Sequence, residues 1–281
     1  MRFKASDNMH IESGLLTHLM NWLVLKKFPE QEVDWERYAE QYDEVTIDVN
    51  HAYQEIMDML QDGKLADLLR YEEAEVVCDF GAGTGNLSIP LARKYPYLKV
   101  IHADFSEAFN AKAKEKALGE GINNIEFLKI DGEQIRDAYN KPFDVILMVH
   151  SLYAMRGKDD IEKPNRVLSA VYDSLAEGGR LCIVDIEKEM NYVRLVASSI
   201  WNTWRKYGLE EMIERYRRLD QAKLQNKNLI LRQRDGTLIT QDINKLESMV
   251  KRAGFNINEN VLYKSGFKYY FGYDNILVLQ K

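Results

Sequence analysis

Val76-Val77-Cys78-Asp79-Phe80-Gly81-Ala82-Gly83-Thr84-Gly85-Asn86 is an apolar run that breaks into a glycine-dense turn, with an acid two residues before the first glycine. Valine favours strands, and a glycine cluster after a strand lets the backbone bend and approach a ligand. A strand feeding such a turn and then a helix presents backbone N–H groups, the device of dinucleotide-binding sheets. The spacing departs from that fingerprint. Gly81, Gly83 and Gly85 spell G-x-G-x-G, whereas the dinucleotide pattern places its third glycine where Asn86 stands. Asp79 would also set a carboxylate beside a pyrophosphate, and a ligand with an ammonium group suits that acid better.

Outward from this turn, residues 73 to 186 alternate short β-rich runs with helical patterns. The strands are Glu75 to Phe80, Lys99 to Asp104, Ile125 to Ile130, Phe143 to Val149 and Arg180 to Asp185. Helices are expected near Asn86 to Lys94, Ser106 to Glu120, Ile135 to Tyr139 and Lys163 to Leu175, an order that demands a mostly parallel sheet with helices on both faces. Beyond it, a helical stretch from about Glu189 to Gln225 carries Trp201, Trp204, Tyr207 and Tyr216. The chain then reads as a helix from Asn244 to Ala253 stopped by Gly254, a strand from Phe255 to Tyr263, an aromatic loop over Gly266 to Tyr273, and a strand from Asn275 to Leu279. Residues 1 to 72 read as helical and aromatic, with one helix near Val49 to Leu60.

The glycine turn resembles the D-x-G-x-G-x-G loop of class I S-adenosylmethionine-dependent methyltransferases of the small-molecule type. The Ala253-Gly254-Phe255 stop is similar to that family's approach to its final strand pair. The resemblance implies an α/β fold: a Rossmann-like, seven-stranded, mostly parallel sheet with helices on both faces and an antiparallel last strand. Residues 73 to 281 would form this domain, with a helical insertion at about 187 to 240 after the fifth strand. Residues 1 to 72 would form a helical extension acting as a cap or lid. The implied cofactor is S-adenosylmethionine, with S-adenosylhomocysteine as product.

Each cofactor contact is expected at a strand's C-terminal tip, where open α/β sheets bind ligands. Asp79, Gly81, Ala82, Gly83, Gly85 and Asn86 form the loop. Asp104 closes the second strand, where a carboxylate can accept from both ribose hydroxyls, although an acid before Ser106 is also a good helix cap. Phe105 follows it and is placed to pack on the adenine. Asp131 and Gly132 resemble the family's segment that brackets the adenine. His150 and Tyr153, after the fourth strand, stand where the reactive methyl meets the acceptor. Histidine titrates near neutrality, so His150 is the candidate base and also a cofactor contact, and Tyr153 the candidate orienting group. Tyr38 and Tyr42 are expected to close over the site, Tyr42 against the cofactor. Tyr38, Tyr153, Trp201, Trp204 and Tyr269 are candidate walls of the acceptor pocket. No metal is implied.

Composition narrows the acceptor. The net charge of -6 and pI near 5.5 give no electrostatic reason to bind nucleic acid, with a local basic patch such as Arg215, Arg217 and Arg218 left open. The Asn-Pro-Pro-Tyr or Asp-Pro-Pro-Tyr motif of methyltransferases acting on base or glutamine amides is absent after the fourth strand, where His150-Ser151-Leu152-Tyr153 stands. Glu187 and Glu189 are in position to attract an amine. The expected reaction is methyl transfer to nitrogen or oxygen of a small molecule by a monomer or homodimer. Three alternatives stay open: a nucleic-acid or protein acceptor, another use of the same cofactor such as cyclising its aminobutyryl arm, and a noncatalytic cofactor-binding protein. Two cysteines, Cys78 and Cys182, give no disulfide framework, and a reducing cytoplasm is the default. The apolar segment from Ile11 to Phe28 is broken by Glu12, His18 and Asn21, so it reads as an amphipathic helix and neither a leader nor a membrane span.

Overall fold

A computed structural model of the chain describes residues 33–49, 51–155, 160–186, 200–201, 203–234, 243–269 and 272–281. The helix expected over 11 to 28, and Glu187 and Glu189, lie outside the described residues. Seven strands form one sheet: β1 Val76–Phe80, β2 Lys99–Asp104, β3 Ile125–Lys129, β4 Phe143–Val149, β5 Leu175–Ile186, β6 Val261–Tyr269 and β7 Gly272–Gln280. Their spatial order is β3-β2-β1-β4-β5-β7-β6. The neighbours from β3 to β5 pair in parallel, and β7 runs antiparallel to both β5 and β6. The expected α/β architecture is therefore present.

The described helices are α1 Trp35–Val49, α2 His51–Asp62, α3 Lys64–Leu69, α4 Ser88–Lys94, α5 Glu107–Gly119, α6 Ile135–Ala138, α7 Lys163–Ser174, α8 Leu209–Arg218, α9 Asp220–Arg234, α10 Ile243–Ala253 and α11 Ile257–Asn260. Strand β1 is buried along its whole length, as a central parallel strand with both faces covered must be. Alternation along it divides the core. Val76, Cys78 and Phe80 point to a cluster with Val167, Leu168 and Val171 of α7 and Leu246 and Val250 of α10. Val77 points the other way, to a cluster with Ile56 and Leu60 of α2, Leu65 and Leu69 of α3, and Leu91 of α4. So α2 and α3, from the amino-terminal zone, pack directly on the sheet. Cys78 and Cys182 are buried free thiols in these two layers. Among the described residues no helix is long and apolar enough to cross a membrane.

Helix α1 takes a different partner. Tyr38 and Ala39 pack with Leu219 and Ala222 of the α9 region and with Phe109 of α5. Arg37 pairs with Asp220 at 2.9 Å, and Gln41 donates to Asp220 at 3.0 Å. The helices that follow β5 and the amino-terminal zone are thereby joined.

The carboxy-terminal hairpin differs from its sequence reading. Phe255 to Tyr263 is not one strand: Asn256 caps the short helix α11, its side chain accepting from Asn258 N at 3.2 Å, and β6 begins at Val261. Asparagine competes for local backbone donors and so starts a turn where apolar alternation suggests a strand. The stretch read as an aromatic loop, Gly266 to Tyr273, instead belongs largely to the hairpin, with Tyr269 paired to Gly272. Helix α9 likewise runs to Arg234, beyond the Gln225 boundary expected for the insertion's helix. Strand β5 begins at Leu175, where the α7 pattern was expected to end, and its pairing with β4 shifts between Phe143 and Val145.

Candidate active site

The glycine turn folds back on β2. Gly81 N donates to Ala103 O at 2.8 Å and Gly83 N donates to Asp104 Oδ2 at 2.9 Å. Gly81 has φ +80, and a Cβ there would lie 2.4 Å from Ser151 Cβ, so both conformation and space require glycine. Gly85, with φ +83, is also tight: a Cβ there would lie 2.8 Å from Ile89 Cδ1 and 3.1 Å from Ala113 Cβ. Beneath the loop, Asp79 is 3% exposed, and its Oδ2 has no hydrogen-bond partner among the described residues. Burial pushes its carboxyl up to about 7, with the Asp104 charge adding and a Ser88 contact opposing. His102 is buried next to it, bonded to Ser88 Oγ through Nδ1 at 2.7 Å, and burial holds it down to about 3, so the ring is neutral.

Asp104 has two tasks in view of its geometry. Its Oδ1 accepts from Ser106 N at 2.8 Å while Oδ2 holds Gly83, and the same carboxylate lines a cavity of about 530 Å³ at the C-terminal end of the sheet. Burial raises its pKa against those backbone hydrogen bonds. Gly81, Gly83, Phe105, Asp131, Gly132, His150 and Tyr153 line the cavity too. Asp131 is an exposed acid bonded to Lys163 Nζ at 2.9 and 3.0 Å, and Gln134 completes a capping box with it. Tyr38 and Tyr42 of α1 form a cluster with Phe109 at centroid distances of 5.6, 5.8 and 5.2 Å and cover one side. Gln225 and Leu229 of α9 complete that side.

His150 follows β4 directly. Its φ of +50 is rare for a residue with a side chain. The conformation is fixed by His150 N donating to Val184 O at 2.7 Å. Strict alternation would send the side chain to the face of Met148, but the left-handed turn instead brings Nε2 to Asp274 Oδ2 at 2.8 Å. Burial works to lower the pKa of His150; the Asp274 charge and hydrogen bond, with Asp185 beyond, overcome it and leave the net shift upward. Asp185, at the tip of β5, is 2% exposed, and no side chain among the described residues donates a hydrogen bond to either oxygen. Burial pushes it up to about 7, opposed by His150 and by the Tyr153 and Ile186 backbone.

Several expected residues are not among the cavity lining. Asp79 lies beneath the glycine loop, Ala82, Gly85 and Asn86 belong to the loop without lining the cavity, and Asn86 accepts from Lys116 Nζ at 2.9 Å. Trp201 and Trp204 are exposed and pack on each other at 5.1 Å. Tyr269 closes β6, and its side chain is outside what is described. The sequence reading did not single out Asp274, Asp185, Ser151, Lys163 or Asp43. Asp185 carried the same signal as Asp104, an acid ending an apolar strand. Asp274 had none, because its position depends on how the last strand registers.

Residues 78–181 match a family model described as a methyltransferase domain. The chain carries a methyltransferase domain of the class I fold. Solved structures share the fold: magnesium protoporphyrin IX methyltransferase (ChlM) from Synechocystis PCC 6803 superposes with a TM-score of 0.56 at 17% identity, covering 93% of this chain and 96% of that one. Among curated proteins, a 23S rRNA (uracil(1939)-C(5))-methyltransferase of Psychrobacter arcticus is 33% identical over 151 residues, 51% of this chain and 26% of the relative. A demethylmenaquinone methyltransferase of Thermus thermophilus is 29% identical over 122 residues, 43% of this chain and 52% of the relative. The chain therefore spans about a quarter of the first relative's length and about half of the second's.

Proposed function

We propose that the methyltransferase domain binds S-adenosylmethionine and transfers its methyl group to a nitrogen or oxygen of a small molecule. One observation supports this most: the glycine loop, Asp104 and His150 converge from three strand tips on one cavity of about 530 Å³. That volume suits a nucleoside-sized group with an acceptor beside it.

The residues fit the cofactor. Asp79 Oδ2, buried and without a hydrogen-bond partner among the described residues, is suited to an ammonium group, which would draw its proton affinity down. Asp104 offers the lone pairs left after its two backbone bonds to ribose hydroxyls. Phe105, Asp131 and Gly132 flank an adenine site. The cofactor supplies an electrophilic methyl on a sulfonium centre. In-line displacement asks the protein mainly for alignment, exclusion of water and a place for the acceptor's proton. Tyr38 and Tyr42, held by α9, exclude water from one side. Tyr153 orients the acceptor, and His150 takes its proton.

An amino-terminal and insertion lid over the cavity agrees with the joining of α1 to α9. The acidic net charge favours a small molecule over RNA as the acceptor. Titration calorimetry with S-adenosylhomocysteine tests the cofactor assignment directly. Binding that weakens in Asp104→Ala is expected, and no binding by the parent chain would end this reading. Mass analysis of the spent cofactor separates methyl transfer from cyclisation, because only the latter yields methylthioadenosine.

A further inference from the structure

Three adjacent strand tips bring His150, Asp185 and Asp274 together. Val149 of β4 is registered with Val184 of β5, and β5 is registered with β7 through Asp185 to Asn275 and Ile186 to Asp274. Asp274 has a fully buried side chain, and that of His150 is 17% exposed. Two carboxylates and one imidazole in so dry a place are costly unless they compensate one another. His150 bridges the two: it bonds Asp274 directly and interacts electrostatically with Asp185, whose oxygens find no side-chain donor among the described residues.

We propose that Asp274 and Asp185 are positioning residues that make His150 the proton acceptor of the reaction, a step resting on the methyl-transfer reading above. Asp274 fixes the tautomer. Its carboxylate accepts from Nε2–H, so the basic lone pair is on Nδ1. When the acceptor's O–H or N–H bond gives up its proton, that proton goes to Nδ1 and its bonding pair stays on the acceptor atom that gains the methyl group. The resulting imidazolium is held by Asp274 at 2.8 Å and compensates the buried charge of Asp185. The strained φ of His150 serves this arrangement, because an ordinary β conformation would turn the ring away from Asp274.

The other titratable groups facing His150 do not compete for the proton. Tyr53 of α2 lies 6.1 Å from the imidazole between ring centroids, and Tyr153 is on the turn after β4. Burial raises both phenols well above their ordinary range, so they stay neutral. The expected consequence is that His150 titrates above an ordinary histidine because of two carboxylates, and that removing either lowers it.

The test is a nuclear magnetic resonance titration of the full chain labelled at histidine Cε1, with His150 assigned by its loss in His150→Gln. The parent should titrate above the unperturbed value of about 6.5. Asp274→Asn and Asp185→Asn should each lower proton affinity by about threefold or more, half a pH unit, and Asp274→Glu should restore part of the loss. Thermal melts and calorimetry with S-adenosylhomocysteine report whether each variant is folded. A folded Asp185→Asn chain with an unmoved His150 titration overturns the role of Asp185, and an unmoved titration in Asp274→Asn or a parent value at or below 6.5 overturns the whole inference. Because the titration needs neither cofactor nor acceptor, it stands or falls apart from the methyl-transfer reading, which fails instead if S-adenosylhomocysteine does not bind.

Discussion

Lys116 of α5 reaches across the glycine loop to Asp43 of α1 at 2.8 Å, and the same ammonium donates to Thr84 O and Asn86 Oδ1 at 2.9 Å each. Thr84 Oγ1 in turn donates to Asp43 Oδ1. A helix far upstream in sequence is thus bonded to the loop that cradles the candidate cofactor site. The pair is about three-quarters buried, where charged hydrogen bonds count for more than on open surface.

Replacing Lys116 by Met keeps the aliphatic stem and removes the donor shared by three acceptors. The loss should be about 1–3 kcal/mol of unfolding free energy in urea, because Asp43 is left largely buried without its cation. Asp43→Asn alone should cost less. A double-mutant cycle should show coupling of roughly 1 kcal/mol, and strict additivity would mean that the contact contributes nothing.

Asp104 holds Gly83 N and Ser106 N simultaneously, one oxygen each. Asp104→Ala removes both acceptors together with the site's ribose acceptor. Affinity for S-adenosylhomocysteine should fall on the order of 100-fold in calorimetry, as expected for losing hydrogen bonds to a charged group worth about 1.5–3 kcal/mol. Asp104→Asn should lie between, because its amide oxygen replaces one acceptor while its NH₂ faces a second N–H. If Asp104→Asn and Asp104→Ala weaken binding equally, the loop geometry and not the acceptor count is decisive.

Much of this arrangement was legible before any coordinates. The parallel core from β1 to β5 follows from apolar runs bounded by acids and glycines, and these signals are local. Asp79, Asp104 and His150 stood out because each ends or follows such a run. Asp274 was silent for the opposite reason: its place beside His150 comes from β7 pairing antiparallel with β5 about ninety residues away, a long-range register. The hairpin was misread where Asn256 traded strand for a capped turn. Lys116 was one of three lysines on α5, and only the fold reveals that it bridges the loop to α1.

Gly81 is fixed by two separate constraints, φ +80 and the approach of Ser151. Gly81→Ala should destabilise by about 2–4 kcal/mol, the sum of roughly 1–2 for a left-handed alanine and a similar amount for overpacking. Ser151→Gly on top should return only the steric part. Urea midpoints of the three variants separate the two contributions. Full rescue by Ser151→Gly would show that the backbone conformation costs nothing.

Asp79 gives the clearest dependence of stability on pH. Its carboxyl is raised by burial from an unfolded value near 3.9 to about 7 in the folded chain. Below about pH 4 both states hold the proton and the group costs little. As pH rises from about 4 to 7 the unfolded chain releases the proton while the folded chain keeps it, so folding stability falls over that window and then levels off. Asp79→Asn, which cannot ionise, should therefore stabilise the ligand-free protein by on the order of 2–4 kcal/mol at pH 8, with the gain fading toward pH 4. The same substitution should weaken S-adenosylhomocysteine binding, because the carboxylate meant for the ligand's ammonium group is gone. Urea unfolding at pH 4, 6 and 8, paired with calorimetry at pH 8, checks both halves. A gain in stability that is the same at every pH would show that Asp79 is not held out of water as its burial indicates. Unchanged binding would show that the ammonium lies elsewhere.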